Sequence, residues 1–250
     1  CNGEIYNHKD LYAMLNKTPK SGSDCEVILD LYLEFGIEYT CKILDGVFAF
    51  IIVDGDRVLF GRDPFGVRPL YYYDCGNGVF GASSELKSLI NFNSNIKQFP
   101  AGHFGCLDSK STKIYSYFNL NSTNLEYNSI GLDYEYYKSL VKTTLVNAVK
   151  KRLMTERPVA CLLSGGLDSS LITALVVNML PQQKIKTFSI GLAGSPDLKY
   201  AREVANFLKT DHNEIIVTEK EFLDAIPTVI KIIESYDTTT VRASVGNYLV

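Results

Sequence analysis

The spacing of apolar residues changes once along this chain, close to residue 120, and the change calls for two different architectures. Before it, short apolar runs alternate with turn signals. Residues 47–53 lead through Asp54-Gly55-Asp56 into 57–61, residues 69–73 lead through Cys75-Gly76-Asn77-Gly78 into 79–82, and further runs follow at 99–107 and 113–117. Asp-Gly and Asn-Gly turns between β-rich runs predict antiparallel hairpins. Two helices are expected among them: residues 23–35, where Val27, Ile28, Leu31, Tyr32 and Phe35 recur at helical spacing, and residues 85–90. The first half thus reads as an α+β domain built on antiparallel sheet.

Residues 119–133, rich in Asn and Ser with little apolar periodicity, have a linker's composition. Beyond them the pattern alternates. A long amphipathic helix is expected over 134–154, then strand 159–163, helix 168–179, strand 185–190, helix 196–208, strand 214–217 and helix 219–234. Strands separated by helices of ten to fifteen residues predict an α/β fold with a doubly wound parallel sheet.

Composition narrows the function classes. The 250 residues suffice for one large or two modest domains, and 25 Lys+Arg against 28 Asp+Glu leave a net charge of −3 without a basic block. No footprint for nucleic acid follows. The longest apolar stretches, such as 47–53, are strand-length, so no membrane span is expected. The six cysteines lie far apart, with no C-x-x-C or Cys/His cluster, and no signal segment opens the chain; reduced thiols and a cytoplasmic setting are the expectation. A chain that starts on Cys1 and ends on an apolar helical pattern reads as a fragment cut at both ends.

The strongest chemical signal is Leu162-Leu163-Ser164-Gly165-Gly166-Leu167-Asp168-Ser169. An apolar strand runs into Ser-Gly-Gly, and a helix begins at once. Glycines let backbone N–H groups approach an anion, Ser164 and Ser169 add hydroxyls, and the helix N-terminus presents unpaired amides. Neither a Walker lysine nor G-x-G-x-x-G is present, so the expected ligand is a polyphosphate held in another way. Asp168 beside it would repel the phosphates unless a divalent cation intervened, which makes Asp168 a candidate Mg²⁺ ligand. A serine/glycine turn capped by Asp168 is the structural alternative.

This segment resembles the pyrophosphate-loop ATP pyrophosphatase family in its Ser-Gly-Gly-x-Asp-Ser signature. The resemblance implies that Ser164, Gly165, Gly166, Asp168 and Ser169 hold pyrophosphate and Mg²⁺, that Leu162 and Leu163 flank the adenosine of ATP, and that Ile190 and Gly191 line the adenine pocket. The first half is similar to the class II glutamine amidotransferase family, an N-terminal-nucleophile fold, through Cys1-Asn2-Gly3-Glu4-Ile5-Tyr6-Asn7, Gly22-Ser23-Asp24, Gly61-Arg62-Asp63 and Ser84-Glu85. The two together, with 194–198 and 236–244, resemble the glutamine-hydrolysing asparagine synthetase family. The implied plan is a glutaminase domain over 1–118, a linker over 119–132 and an ATP-binding domain over 133–250. Glutamine, aspartate and ATP are the implied substrates, and a homodimer is left open.

A bound glutamine needs carboxylates for its ammonium group and donors for its developing oxyanion. Asn2 and the Gly3 N–H suit the oxyanion, and Glu4 and Asp24 suit the ammonium, in keeping with the family's use of the matching positions. Cys1 is not assigned as nucleophile, because Cys1-Asn2-Gly3-Glu4 matches an internal strand of the family; the nucleophilic cysteine is expected upstream. Arg62-Asp63 is read as a structural ion pair. Thr239, Thr240 and Arg242 are candidates for handling an aspartyl-adenylate, with helix capping as their alternative. His8, His103 and His212 are expected to be structural or exposed. The implied reaction is glutamine hydrolysis to ammonia, activation of aspartate to β-aspartyl-AMP with release of pyrophosphate, and amidation. Another amide-forming relative and a non-catalytic regulatory homologue stay as alternatives.

Overall fold

A computed structural model describes residues 1–75, 79–93, 95–107, 112–119 and 133–250. The central residues of the expected turn at 75–78 and nearly all of the expected linker at 119–133 lie outside the described residues. The chain divides into two compact units, Cys1–Asn128 and Ser129–Val250.

The first unit is antiparallel, as its turn signals predict. Strands β1 (Asn2–Ile5), β2 (Gly46–Asp54), β3 (Arg57–Arg62), β7 (His103–Leu107) and β8 (Thr112–Ser116) form one sheet in the order β1-β2-β3-β7-β8. Strands β4 (Tyr71–Asp74), β5 (Phe80–Ser83) and β6 (Lys97–Gln98) form a second, in the order β5-β4-β6. Asp54 pairs with Arg57, so the β2–β3 hairpin turns on Gly55 and Asp56, with Gly55 at φ +58° supplying the left-handed conformation. Helix α1 (His8–Leu15), absent from the sequence expectation, buries Leu11 and Tyr12. Helix α2 (Val27–Ile43) buries Val27, Ile28 and Leu31, breaks at Gly36 (φ 78°) and resumes to bury Thr40 and Cys41. The helix expected over 85–90 is only a 3₁₀ turn, Leu86–Ser88.

Two apolar clusters fill this unit. One joins α1 and α2 to Ile5, Phe48, Phe50 and Phe104; the other sets Phe60 against Leu70 and Phe99, with the Phe60 and Phe99 rings 5.0 Å apart and edge-on. Between them lies a buried charged knot. The expected Arg62–Asp63 ion pair is not among the salt bridges of the described residues; each side chain instead binds backbone. Asp63 accepts N–H groups from Phe65 (3.1 Å), Val67 (2.9 Å), Arg68 (3.0 Å) and Phe48 (3.3 Å). Arg62 donates to the carbonyls of Arg68, Gly66 and Phe99 at 2.7, 2.8 and 2.5 Å. A loop closed by Pro64 and Gly66 has more orphaned amides and carbonyls than its own backbone can pair, so both charges are spent on it.

In the second unit α3 (Tyr134–Lys151) precedes β9 (Ala160–Leu162), α4 (Leu167–Met179), β10 (Lys186–Leu192), α5 (Pro196–Leu208), β11 (Asp211–Val217), α6 (Glu219–Ile233) and α7 (Thr238–Leu249). The three strands are parallel and lie in the order β11-β10-β9. The expected strand–helix alternation is therefore present, wound in one direction; no reversal of strand order, which double winding requires, occurs among the described strands. Pro196 at the start of α5 and left-handed Lys209 at its end fix that helix at the expected bounds. Among the described residues no helix is long and apolar enough to cross a membrane.

Replacing Asp63 by Ala leaves four N–H groups, that of Phe48 buried and the others partly so, without their acceptor and the Arg62 charge without its neighbour. A destabilisation of about 3–5 kcal/mol is expected for the first unit. Urea unfolding followed by tyrosine fluorescence measures it, and a loss under about 1 kcal/mol would show that the knot is dispensable.

Candidate functional site

Strand β1 is an edge strand, and its parity decides which groups it offers. The Tyr6 N–H donates to Asp45 O at 2.7 Å, just past the β1–β2 ladder, so the even-numbered residues pair towards β2. The Gly3 and Ile5 amides therefore point to the open edge. A 3₁₀ turn, Asp24–Glu26, lies along that edge: Asp24 Oδ2 accepts the Ile5 N–H at 2.5 Å, and Cys25 Sγ donates to Gly3 O at 3.6 Å. Four of the expected glutamine-site residues, Asn2, Gly3, Glu4 and Asp24, are thus gathered on one strand edge and the turn against it. Asn2 Nδ2 donates to Ser84 Oγ at 3.0 Å with one of its two hydrogens. Asn2 and Ser84 share a cavity of about 270 Å³ with Cys1, Ala49, Ile51, Leu70 and Ser83. Ser83 of β5 and the adjoining Ser84 bring the second sheet to this cavity. Gly3 is required sterically, because a Cβ there would sit 2.2 Å from Val47 O. Asn2 and Gly3 themselves lie in extended strand.

In the second unit the Ser164–Ser169 segment adopts the strand–loop–helix arrangement read from its sequence. Gly165 has φ +79°, and Gly166 begins α4 with no side chain capping it. The hydroxyls of Ser164 and Ser169 meet at 2.9 Å, and Ser169 Oγ donates to Gly166 O at 3.2 Å. The loop is thus braced by its own hydroxyls, which also accept the Ser164 and Gly166 N–H groups at 3.3 and 3.4 Å, and the next amides, in the first turn of α4, have no acceptor within the helix and can face an anion. Beside it a cavity of about 130 Å³ is lined by Leu162, Leu163, Ser164, Phe188 and Ile190, with Ser189, Asp197, Asn247 and Val250 completing its wall. Leu162 is 53% exposed, whereas Leu163 is buried. Gly191 does not line this cavity; a Cβ on it would come within 3.2 Å of Leu198, so its role there is to let β10 pass close to α5. Asp197 and Asn247 were not singled out from sequence, although Asp197 lies within the 194–198 stretch that carries part of the resemblance.

Asp168 stands exposed in the first turn of α4. No group of three His, Cys, Asp or Glu able to hold a metal occurs among the described residues. The donor set fits a cation that takes most of its oxygens from a polyphosphate and one from Asp168, as magnesium does.

Thr239 and Arg242 lie in the first turns of α7 and line a cavity of about 470 Å³ with Phe222 and Ala243. Thr240 takes the capping alternative: its N–H and Oγ1 both donate to Asp237 Oδ2 at 2.8 Å. His8 and His103 contact backbone carbonyls. His212 is not isolated. Nδ1 lies 2.9 Å from Thr187 Oγ1 and Nε2 lies 3.2 Å from Ser189 Oγ, and Glu214, bound by Arg202 of α5, stands beside it. Burial lowers its pKa, more than the charge of Glu214 raises it.

Comparison with known proteins follows the same division. Residues 1–100 match the model of the glutamine amidotransferase domain family, and residues 140–250 match that of the asparagine synthase family. Relatives matched over 100% of this chain include proteins named asparagine synthetase [glutamine-hydrolyzing] from Mus musculus at 40% identity, Gallus gallus at 42% and Homo sapiens at 39%, each with 49% of its own length covered. The chain spans about half the length of the curated relatives it matches.

Two substitutions test the loop. A Cβ on Gly165 would lie 2.6 Å from Ala201 N in a left-handed backbone, whereas one on Gly166 would meet only Ser164 Oγ at 3.5 Å. Gly165→Ala should cost about 1–3 kcal/mol and Gly166→Ala under about 1 kcal/mol; equal costs in chemical denaturation would contradict the packing described. A pH titration tests His212. Because its folded pKa lies below the unfolded value of about 6.5, the unfolded chain binds the proton more readily. Stability of the second unit should therefore fall as pH drops below about 6.5, and His212→Gln should flatten that fall. An unchanged slope in the variant would exclude His212 as its source.

Proposed function

We propose, from the match of residues 1–100 to the glutamine amidotransferase domain family and of residues 140–250 to the asparagine synthase family, that the chain carries the two centres of a glutamine-dependent asparagine synthetase. The observation that carries the reading is the Ser164–Ser169 loop, a glycine turn braced by hydroxyls at a helix N-terminus, opening beside a cavity walled by Leu162, Phe188 and Ile190. That pairing of anion donors with an apolar slot suits a nucleoside polyphosphate, and ATP is the substrate assigned to it. In the same reading residues 1–118 are an N-terminal-nucleophile glutaminase domain, 119–132 a linker and 133–250 an ATP-binding domain whose parallel sheet is completed as a doubly wound one. Six free thiols support a cytoplasmic setting.

At the first centre Asn2 and the outward Gly3 N–H receive the oxyanion formed when a cysteine thiolate, supplied from outside residues 1–250, attacks the glutamine amide. Glu4 and Asp24 pair with the substrate ammonium. Collapse of the oxyanion breaks the C–N bond and releases ammonia, leaving a thioester that water hydrolyses to glutamate and the free thiol. At the second centre an aspartate side-chain oxygen attacks the α-phosphorus of ATP, the bond to the β-phosphate breaks, and pyrophosphate leaves. The purpose is chemical: a carboxylate resists ammonia until its oxygen belongs to a good leaving group. Ammonia then adds to the acyl carbon, and AMP departs with that oxygen. A magnesium ion bound with ATP, held by Asp168, would neutralise charge on the phosphates. Thr239 and Arg242 are assigned to the acyl-adenylate, with the guanidinium suited to a carboxylate or phosphate.

Crossed substitutions in the full-length protein test the division of labour. Asp168→Ala should lower pyrophosphate release from ATP and aspartate more than about a hundredfold and spare glutamine hydrolysis. Asp24→Ala should raise the glutamine KM by at least about tenfold and spare synthesis driven by ammonium. Losses that fall equally on both reactions in each variant would contradict two separate centres.

A further inference from the structure

The 3₁₀ turn beside β1 does more than supply Asp24. An edge strand leaves a row of N–H and C=O groups unpaired, and here two successive ones, Gly3 C=O and Ile5 N–H, are met by the side chains of consecutive residues. Asp24 Oδ2 accepts from Ile5 N at 2.5 Å; Cys25 Sγ donates to Gly3 O at 3.6 Å and lies 3.8 Å from the same Asp24 oxygen. The dipeptide thus stands where a neighbouring strand would. Its thiol touches both parts of the glutamine site, the peptide unit that follows the Gly3 amide and the carboxylate that meets the ammonium.

We propose that Cys25 is a positioning residue for glutamine use, its thiol fixing the Gly3 carbonyl and the Asp24 carboxylate in register so that oxyanion donor and ammonium acceptor are held at one spacing. This rests on the glutaminase reading above. Cys25 is half-buried, and burial, followed by the charge of Asp24, pushes its pKa up to about 11. At neutral pH the sulfur therefore keeps its proton and serves as a donor, with no role as nucleophile. Asp24 turns one carboxylate oxygen to the strand, and Oδ1 is the oxygen assigned to the substrate.

The test uses the full-length protein with glutamine and, separately, ammonium as nitrogen source. Cys25→Ala should raise the glutamine KM about three- to tenfold, the worth of one modest hydrogen bond, while ammonium-driven synthesis stays within about twofold. Cys25→Ser, which keeps a donor at the same place, should restore the glutamine KM to within about twofold of wild type. An unchanged KM in Cys25→Ala, a serine variant as impaired as the alanine one, or equal losses with both nitrogen sources would each overturn the proposal. A wild-type protein that uses ammonium but hydrolyses no glutamine would instead overturn the glutaminase reading beneath it.

Discussion

Backbone amides left over where regular structure ends are the constraint on which both halves of this molecule are organised. A helix cannot pair its first amides and an edge strand cannot pair its outer ones, so each must find a side chain, a solvent molecule or a ligand. At β1 the outward row is shared: Ile5 N–H is taken by Asp24, Gly3 C=O by Cys25, and the Gly3 N–H is offered outward. At α4 the serine hydroxyls bind one another and the Gly166 carbonyl, which leaves amides of the first turn to face a ligand. Each place joins donors to a wall of different polarity, the carboxylates of Glu4 and Asp24 at one and the apolar Leu162, Phe188 and Ile190 at the other. An amino acid with a charged ammonium suits the former, a nucleotide the latter.

Rigidity around these places comes from close packing that only glycine allows. Gly3 passes against Val47 with no room for a side chain, and Gly165 lies against the backbone of Tyr200 and Ala201. Further from the sites, the Arg62 and Asp63 charges hold the loop between β3 and β4 by seven bonds to backbone groups, and the Tyr117 hydroxyl adds a bond to Arg62 O at 2.7 Å. Such a knot is costly to bury and still costlier to halve, so it fixes one loop conformation rather than adding to stability in proportion to its charges.

Much of this could be read from residue order, and the exceptions have physical reasons. The Asp54-Gly55-Asp56 turn and the Pro196 helix start were legible because a single residue type dictates the local dihedrals. Helix α1 was not, since Asn7 makes no side-chain cap and only Leu11 and Tyr12 are buried along its eight residues. The extension of α2 past Phe35 was hidden by Gly36, which breaks the periodicity without ending the element. The polarity of Arg62 and Asp63 was legible but not their partners, because adjacency in sequence suggests a pair that the strand geometry turns apart. Most hidden was the His212 cluster: Thr187, Ser189 and Thr210 reach it or one another from positions 23 or 25 residues apart, and only the parallel register of β10 and β11 brings them together.

The proposed function requires that ammonia released at one centre displace an activated carboxylate oxygen at another. The most direct measurement supplies the full-length protein with glutamine labelled by ¹⁵N in its amide, aspartate labelled by ¹⁸O in its side-chain carboxylate, and magnesium ATP, and follows both isotopes by mass spectrometry. The predicted result is ¹⁵N in the amide of asparagine and one ¹⁸O in the phosphate of AMP, with none in pyrophosphate. Label in pyrophosphate or inorganic phosphate, or asparagine formed without ¹⁵N, would contradict it.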